Sequence, residues 1–196
     1  ESNGVNDMSI LEIAANYYQY FLRGTRTTIL VALVTVFCGA LLGCAIALMR
    51  LSKIKVLNWF SRLYITVIRG TPMLVQLYIV YFQLDFIKYP SGSIFGVDLE
   101  RAIPCIIALS MNSAAYIAEI IRAGIQAVDA GQREASLSLG MTERAIMTKV
   151  IFPQAIKNIL PALGNEVIVM IKQTSLASVF FFGELMTAYK QVQSTT

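Results

Sequence analysis

Apolar residues gather in long runs along this chain, not in the alternation of a half-buried strand. Thr27 to Met49 carries no charge and is bracketed by Arg26 and Arg50. About 20 predominantly apolar residues suffice for a helix to cross a bilayer, so a first span is predicted there. Its start extends back to about Tyr17, since Tyr17, Tyr18, Tyr20 and Phe21 suit a membrane interface. The first span is thus placed at residues 17–50. A second is placed at 59–84, interrupted by Arg69-Gly70-Thr71-Pro72. Proline removes a helical hydrogen bond and the neighbouring glycine loosens the turn, so a kink or break is expected. A third is placed at 102–122. The fourth, at 151–182, is the least hydrophobic and holds Lys157, Pro161, Glu166 and Lys172. Polar groups are tolerated in spans that face a bundle interior.

Composition agrees with the pattern. The chain has 196 residues, 56% of them hydrophobic and 14% charged, with a mean hydropathy of +0.63. Soluble domains carry roughly 25% charged residues, so an all-α membrane protein is expected. The net charge of +4 comes from basic residues at the ends of apolar runs, where membrane orientation requires them. Nucleic acid is therefore not an expected partner; membrane lipid is. With no histidine, a Cys/His metal site is excluded. Cys38, Cys44 and Cys105 read as buried packing thiols. No signal peptide is visible, and the first residue, Glu1, points to a processed or longer chain.

Lysine and arginine set the orientation. The segment between spans one and two has Arg50, Lys53, Lys55 and Arg62 with no acid, and is placed in the cytoplasm. Asp85, Lys88, Asp98, Glu100 and Arg101 mix both signs between spans two and three, which is placed outside. Arg133, Arg144 and Lys149 then return residues 122–157 to the cytoplasm, with the N-terminus outside. Within that segment, residues 129–153 read as two short helices. Asp129 followed by Gln132 resembles a capping box, and Gly140 fits a left-handed helix stop. Thr142 caps a second helix, with Glu143 in its first turn, running into Pro153. Spacing leaves two readings: an amphipathic helix lying on the membrane, or a knob that docks a soluble partner.

The residues of this loop carry a resemblance. Glu134-Ala135-Ser136, Gly140 and Ile151-Phe152-Pro153 resemble the EAA loop of bacterial ABC importer permeases, with Ser136 and Phe152 in place of alanine and leucine. Ile68 to Pro72, Asn112 to Glu119, Gly124 to Val128 and Pro153 to Glu166 are similar to the polar amino acid permease group. The resemblance implies a type I ABC importer-like transmembrane helix bundle in the bacterial cytoplasmic membrane. Members have five core helices, so a fifth span is expected to be missing after Thr196. It implies two copies of an ATP-binding ABC subunit and a second permease subunit, identical or homologous. It also implies an extracytoplasmic solute-binding protein or a fused binding domain. The coupling residues carried over are Glu134, Ala135, Ser136 and Gly140. No Gly-x-x-x-x-Gly-Lys-Ser/Thr loop is present, so no cofactor is expected on this chain, and ATP and Mg are expected on the partner ATPase.

Polar residues at membrane depth are candidates for a solute path. Asn112, Tyr116 and Glu119 fall on one helical face, as do Glu166, Met170 and Gln173. A zwitterionic amino acid needs an acceptor for its ammonium and donors for its carboxylate. Glu166 suits the first role, and Asn112, Lys172, Gln173 and Thr174 the second. Each residue also has a structural reading as hydrogen-bonding glue between helices, which is favoured for Glu119 because Arg122 lies at i+3. Arg69, Gly70, Thr71 and Pro72 read either as a broken-helix binding element or as a plain kink. Gln173 stands where the family more often has an acid, which counts against a cationic side chain. Gly39 and Gly43 predict helix packing. Alternatives are a permease of this class for another small polar solute, a passive channel, or a structural bundle. A membrane enzyme lacks a catalytic constellation.

Overall fold

The computed structural model describes residues 10–83, 87, 89–94 and 97–195. Asp85 and Lys88, used above for orientation, the Leu84 end of the second run and Thr196 lie outside the described residues. The described residues are mainly helical, with one short antiparallel pair among them. Helix α1 is Ile10–Leu51, α2 Lys55–Gly70 and α3 Met73–Gln83. The strands β1 (Ser93–Ile94) and β2 (Val97–Asp98) pair Ser93 with Asp98 and Ile94 with Val97. Then come α4 (Leu99–Gln126), α5 (Ala130–Ser138), α6 (Glu143–Ile146), a π-helical turn Met147–Ile151 and α7 (Phe152–Gln173). A 3-10 helix, Thr174–Phe180, leads to α8, Leu185–Thr195.

Among the described residues two helices, Ala15–Leu51 and Leu99–Gln126, are long and apolar enough to span alone. Two other candidates are broken: Lys55–Gly70 followed by Met73–Gln83, and Glu143–Phe180 followed by Leu185–Thr195. The first break falls at the expected place. Thr71 adopts extended backbone (φ −113°, ψ 144°), the conformation that a following proline imposes. Pro104 and Pro161 lie inside α4 and α7 without ending them. Leu33, Phe37, Leu41 and Leu48 of α1 are exposed, as expected of side chains whose solvent is lipid.

The chain divides into two compact units, Glu1–Val34 with Met73–Leu109 and Ile171–Thr196, and Thr35–Pro72 with Ser110–Met170. In the first, Leu77, Cys105, Leu109, Phe180 and Phe182 form the core, and the Tyr81 and Phe180 rings stack with centroids 3.9 Å apart. A tight turn enters α8. Phe181 is left-handed (φ 53°), and its carbonyl accepts a hydrogen bond from Arg101 at 3.3 Å. The buried carboxylate of Glu184 caps α8, accepting from Thr187 N at 2.6 Å and Thr187 Oγ1 at 2.5 Å. In the second unit, Ala47, Ile65 and Ala118 make the core. Gly39 and Gly43 do pack α1 onto α4: a Cβ on Gly43 would stand 2.9 Å from Ile117 Cβ and 3.0 Å from Ala114 O. Tyr64 Oη donates to the Met111 carbonyl at 2.6 Å and ties α2 to α4. Of the three cysteines Cys105 is buried, Cys38 is half-buried and Cys44 is exposed. Burial of all three fails because α1 is not enclosed by other helices.

Candidate functional site

The loop after α4 folds as two helices and a turn. Asp129 caps α5, but its side chain accepts from Gly131 N at 2.7 Å and not from the third residue of a capping box. At the other end Gly140 has φ +75°. Gly140 N donates to Leu137 O at 2.9 Å and Met141 N to Ser136 O at 3.1 Å, the paired bonds of a Schellman stop. Thr142 Oγ1 accepts from Ala145 N at 3.3 Å and starts α6. Glu143, in that first turn, pairs with Arg133 of α5, which closes the helix-turn-helix with an ion pair.

The second helix does not run evenly into Pro153. Residues Met147–Ile151 widen into a π turn, and Phe152 N bonds to Met147 O. Proline lacks the N–H that would reach Lys149 O, and its ring crowds that carbonyl. A wider turn relieves both, and α7 then continues through Pro153.

Of the predicted coupling residues, Glu134, Ala135 and Gly140 are exposed. Ser136 turns inward, at 6% exposure, and its hydroxyl donates to Gln132 O at 2.7 Å. A small residue at that position therefore serves packing inside the unit. Sequence reasoning missed Leu139, 82% exposed beside the glycine, and Leu137. An apolar side chain standing free at a polar helix end was the available signal.

The second unit also brings polar candidates together. Glu166 is 4% exposed, and its carboxylate accepts from Ser113 Oγ at 3.0 Å. Ser113 itself was not singled out, since no local pattern links it to a residue 53 positions away. Asn112 is buried beside it on α4. Arg69, at the helix break, lies over the Tyr116 ring, 5.1 Å from its centroid. A cation on a ring face is held by the ring quadrupole, so the break and α4 are joined. Thr71 Oγ1 donates to Val67 O at 3.0 Å, and Gly70 has open space around it. Glu119 is forked by Arg122, with Arg122 Nε to Glu119 Oε2 at 2.9 Å, which is the structural role favoured for it.

Lys172, Gln173 and Thr174 belong to the first unit. Lys172 is exposed. Thr174 is buried, and its hydroxyl donates to Ile171 O at 2.7 Å, so it holds the switch from α7 to the 3-10 helix. Gln173 Oε1 is buried and has no hydrogen-bond partner. Buried polar atoms are rarely left so.

Residues 39–196 match the family described as binding-protein-dependent transport system inner membrane component. The chain is 37% identical over 177 residues to the arginine transport system permease protein ArtQ of Bacillus subtilis (strain 168), covering 90% of this chain and 78% of that protein. It is 36% identical over 195 residues to the nopaline transport system permease protein NocM of Agrobacterium fabrum, covering 95% and 78%. A solved structure of an amino acid ABC transporter with histidines superposes with a TM-score of 0.86 at 46% identity, covering 95% of this chain and 83% of that one.

Proposed function

The chain belongs to the binding-protein-dependent transport inner membrane component family, and from that premise we propose that it is the permease subunit of an ATP-driven importer of polar amino acids. In this reading it crosses the bacterial cytoplasmic membrane several times with its N-terminus outside. It pairs with a second permease subunit, identical or homologous, above two ATP-binding subunits. ATP and Mg are held by those partners. An extracytoplasmic binding protein, separate or fused, delivers the solute.

One observation carries the proposal: the helix-turn-helix of α5 and α6. Each helix is capped at its start, by Asp129 and Thr142; the first is stopped by Gly140, the pair is braced by Arg133 and Glu143, and Glu134, Ala135 and Leu139 are exposed. A polar helix with a free apolar tip suits insertion into a groove of a soluble protein. The chain runs from it through the π turn into α7, which carries Glu166. Motion imposed on α5 passes to α6 across the Arg133–Glu143 pair, and from there along α6, the π turn and α7 to a buried carboxylate. In the second unit Glu166, Asn112 and Tyr116 are the proposed polar lining; in the first, Gln173 is a proposed acceptor, with Lys172 and Thr174 near it along the chain.

The test uses purified complexes. Glu134→Lys and Leu139→Asp are expected to weaken ATPase association and abolish uptake. Unchanged association and uptake in both variants would refute the docking claim. A panel of polar amino acids in reconstituted vesicles tests the substrate class. The relatives named for arginine and nopaline transport support that class, and it fails if no member of the panel stimulates turnover.

A further inference from the structure

The connector between α1 and α2 gathers cations without an acid. Ser52, Lys53, Lys55, Asn58, Trp59 and Arg62 line a cavity of about 330 Å³. Arg50 stands beside it through a shared partner. Asn58 Oδ1 accepts from Arg62 Nε at 2.7 Å and from Arg50 Nη1 at 3.3 Å, and the Asn58 amide nitrogen donates to the Arg50 carbonyl. Two guanidinium groups are thus held against one neutral oxygen. Among the described residues none of Arg50, Lys53, Lys55 and Arg62 is ion-paired with a carboxylate. Glu119, which lines a neighbouring cavity with Arg50 and Arg62, is engaged by Arg122.

The start of α2 adds to this field. Its N-cap is Ile54, which offers no side-chain acceptor, and no acid lies in its first turn. The first N–H groups are therefore uncapped and favour an anion. Membrane orientation alone asks only for basic residues near the bilayer. It does not ask for a neutral asparagine that clamps two like charges together. That arrangement is favourable when an anion completes it.

An apolar groove of about 390 Å³ begins one residue away on each helix. It is lined by Leu42, Ile46, Met49, Phe60, Tyr64 and Met111, so that Met49 adjoins Arg50 and Phe60 adjoins Trp59. Trp59 is 57% exposed and sits edge-on to Phe60 with centroids 5.0 Å apart, as an interface tryptophan does. We propose that the α1–α2 connector binds an anionic phospholipid, with Arg50, Lys53, Lys55 and Arg62 holding its headgroup phosphate beside Trp59. A soluble phosphate would use the cations alone; a lipid uses the cations and the groove. The proposal rests on the membrane reading above but not on which solute is carried.

Trp59 is the one tryptophan of this sequence and can report the site. The full chain is placed in lipid nanodiscs with brominated phosphatidylglycerol or brominated phosphatidylcholine, and the signal of a Trp59→Phe variant is subtracted. Half-quenching is expected at a several-fold lower mole fraction of the anionic lipid. Neutralising each basic group should erode that preference by up to about five-fold. Arg50→Gln with Arg62→Gln should abolish it. Lys53→Gln with Lys55→Gln, on the exposed connector, should weaken it with the Asn58 clamp intact, so the outcome does not hang on one fold-sensitive variant. Equal quenching by both lipids overturns the proposal. Relief of quenching by millimolar inorganic phosphate would assign the site to a soluble anion instead. No quenching by either lipid would refute the membrane placement of α2, a different failure.

Discussion

Replacing Gly140 isolates the backbone requirement of the turn between α5 and α6. A Cβ at this position would meet no atom within 4 Å, yet φ is +75°. Space is therefore not limiting and conformation is. An L-residue in the left-handed region costs about 1–2 kcal/mol, and Gly→Ala recovers about 0.4–1 kcal/mol from a less flexible unfolded chain. The net cost of Gly140→Ala is about 0–1.6 kcal/mol, which lowers the population of the closed turn by up to about 15-fold. Asparagine tolerates this region better than alanine, and a β-branched residue tolerates it worst. The expected order of cost is therefore Asn below Ala below Val, against the order of side-chain volume for the first two. Hydrogen exchange at Gly140 N and Met141 N reads the turn directly, because these amides make the Schellman bonds to Leu137 O and Ser136 O. Protection should fall by the factors above, and uptake should follow the same order. An asparagine variant as damaging as the alanine one would refute the conformational argument.

Three further outcomes follow from named contacts. Gly43→Val should force α1 from α4, with Ile117 Cβ already 2.9 Å from an added Cβ; a loss of about 1–3 kcal/mol should lower the unfolding midpoint of the detergent-solubilised protein. Arg122→Gln leaves Glu119 mostly buried without its fork, for about 1–3 kcal/mol. Adding Glu119→Gln should restore much of that loss in a double-mutant cycle, and strict additivity would show that the pair is not coupled. Gln173→Asp places a charge at the buried open acceptor and should shift competition for uptake towards cationic amino acids; an unchanged ranking would remove Gln173 from the solute path.

Much of the molecule was legible from residue order. The uncharged run Thr27 to Met49, the break at Arg69 to Pro72 and the stop at Gly140 are local facts. Helix length, the pre-proline restriction and the left-handed preference of glycine act within a few residues. The pairing of Glu119 with Arg122 is equally local, at i and i+3. For that reason the chain alone located the apolar runs and their breaks, and the EAA-like residues pointed to the family; the ends of the runs differ, since the fourth stops as α7 at Gln173 and is followed by a 3-10 helix and by α8, Leu185–Thr195, which no local pattern marked.

Other features required the folded chain. Ser113 on Glu166, Arg69 on Tyr116 and the inward turn of Ser136 depend on which helix faces which. So does the clamp of Asn58 on Arg50 and Arg62, whose members looked like a simple orientation signal. A hydrophobic pattern specifies that a helix has lipid-tolerant faces, but in a helix apolar on every side, as α1 is between Thr27 and Met49, it does not say which face meets protein. That choice is made by close packing, at Gly39 and Gly43 against Ser113 and Ile117, and with it are fixed the partners of each buried polar group.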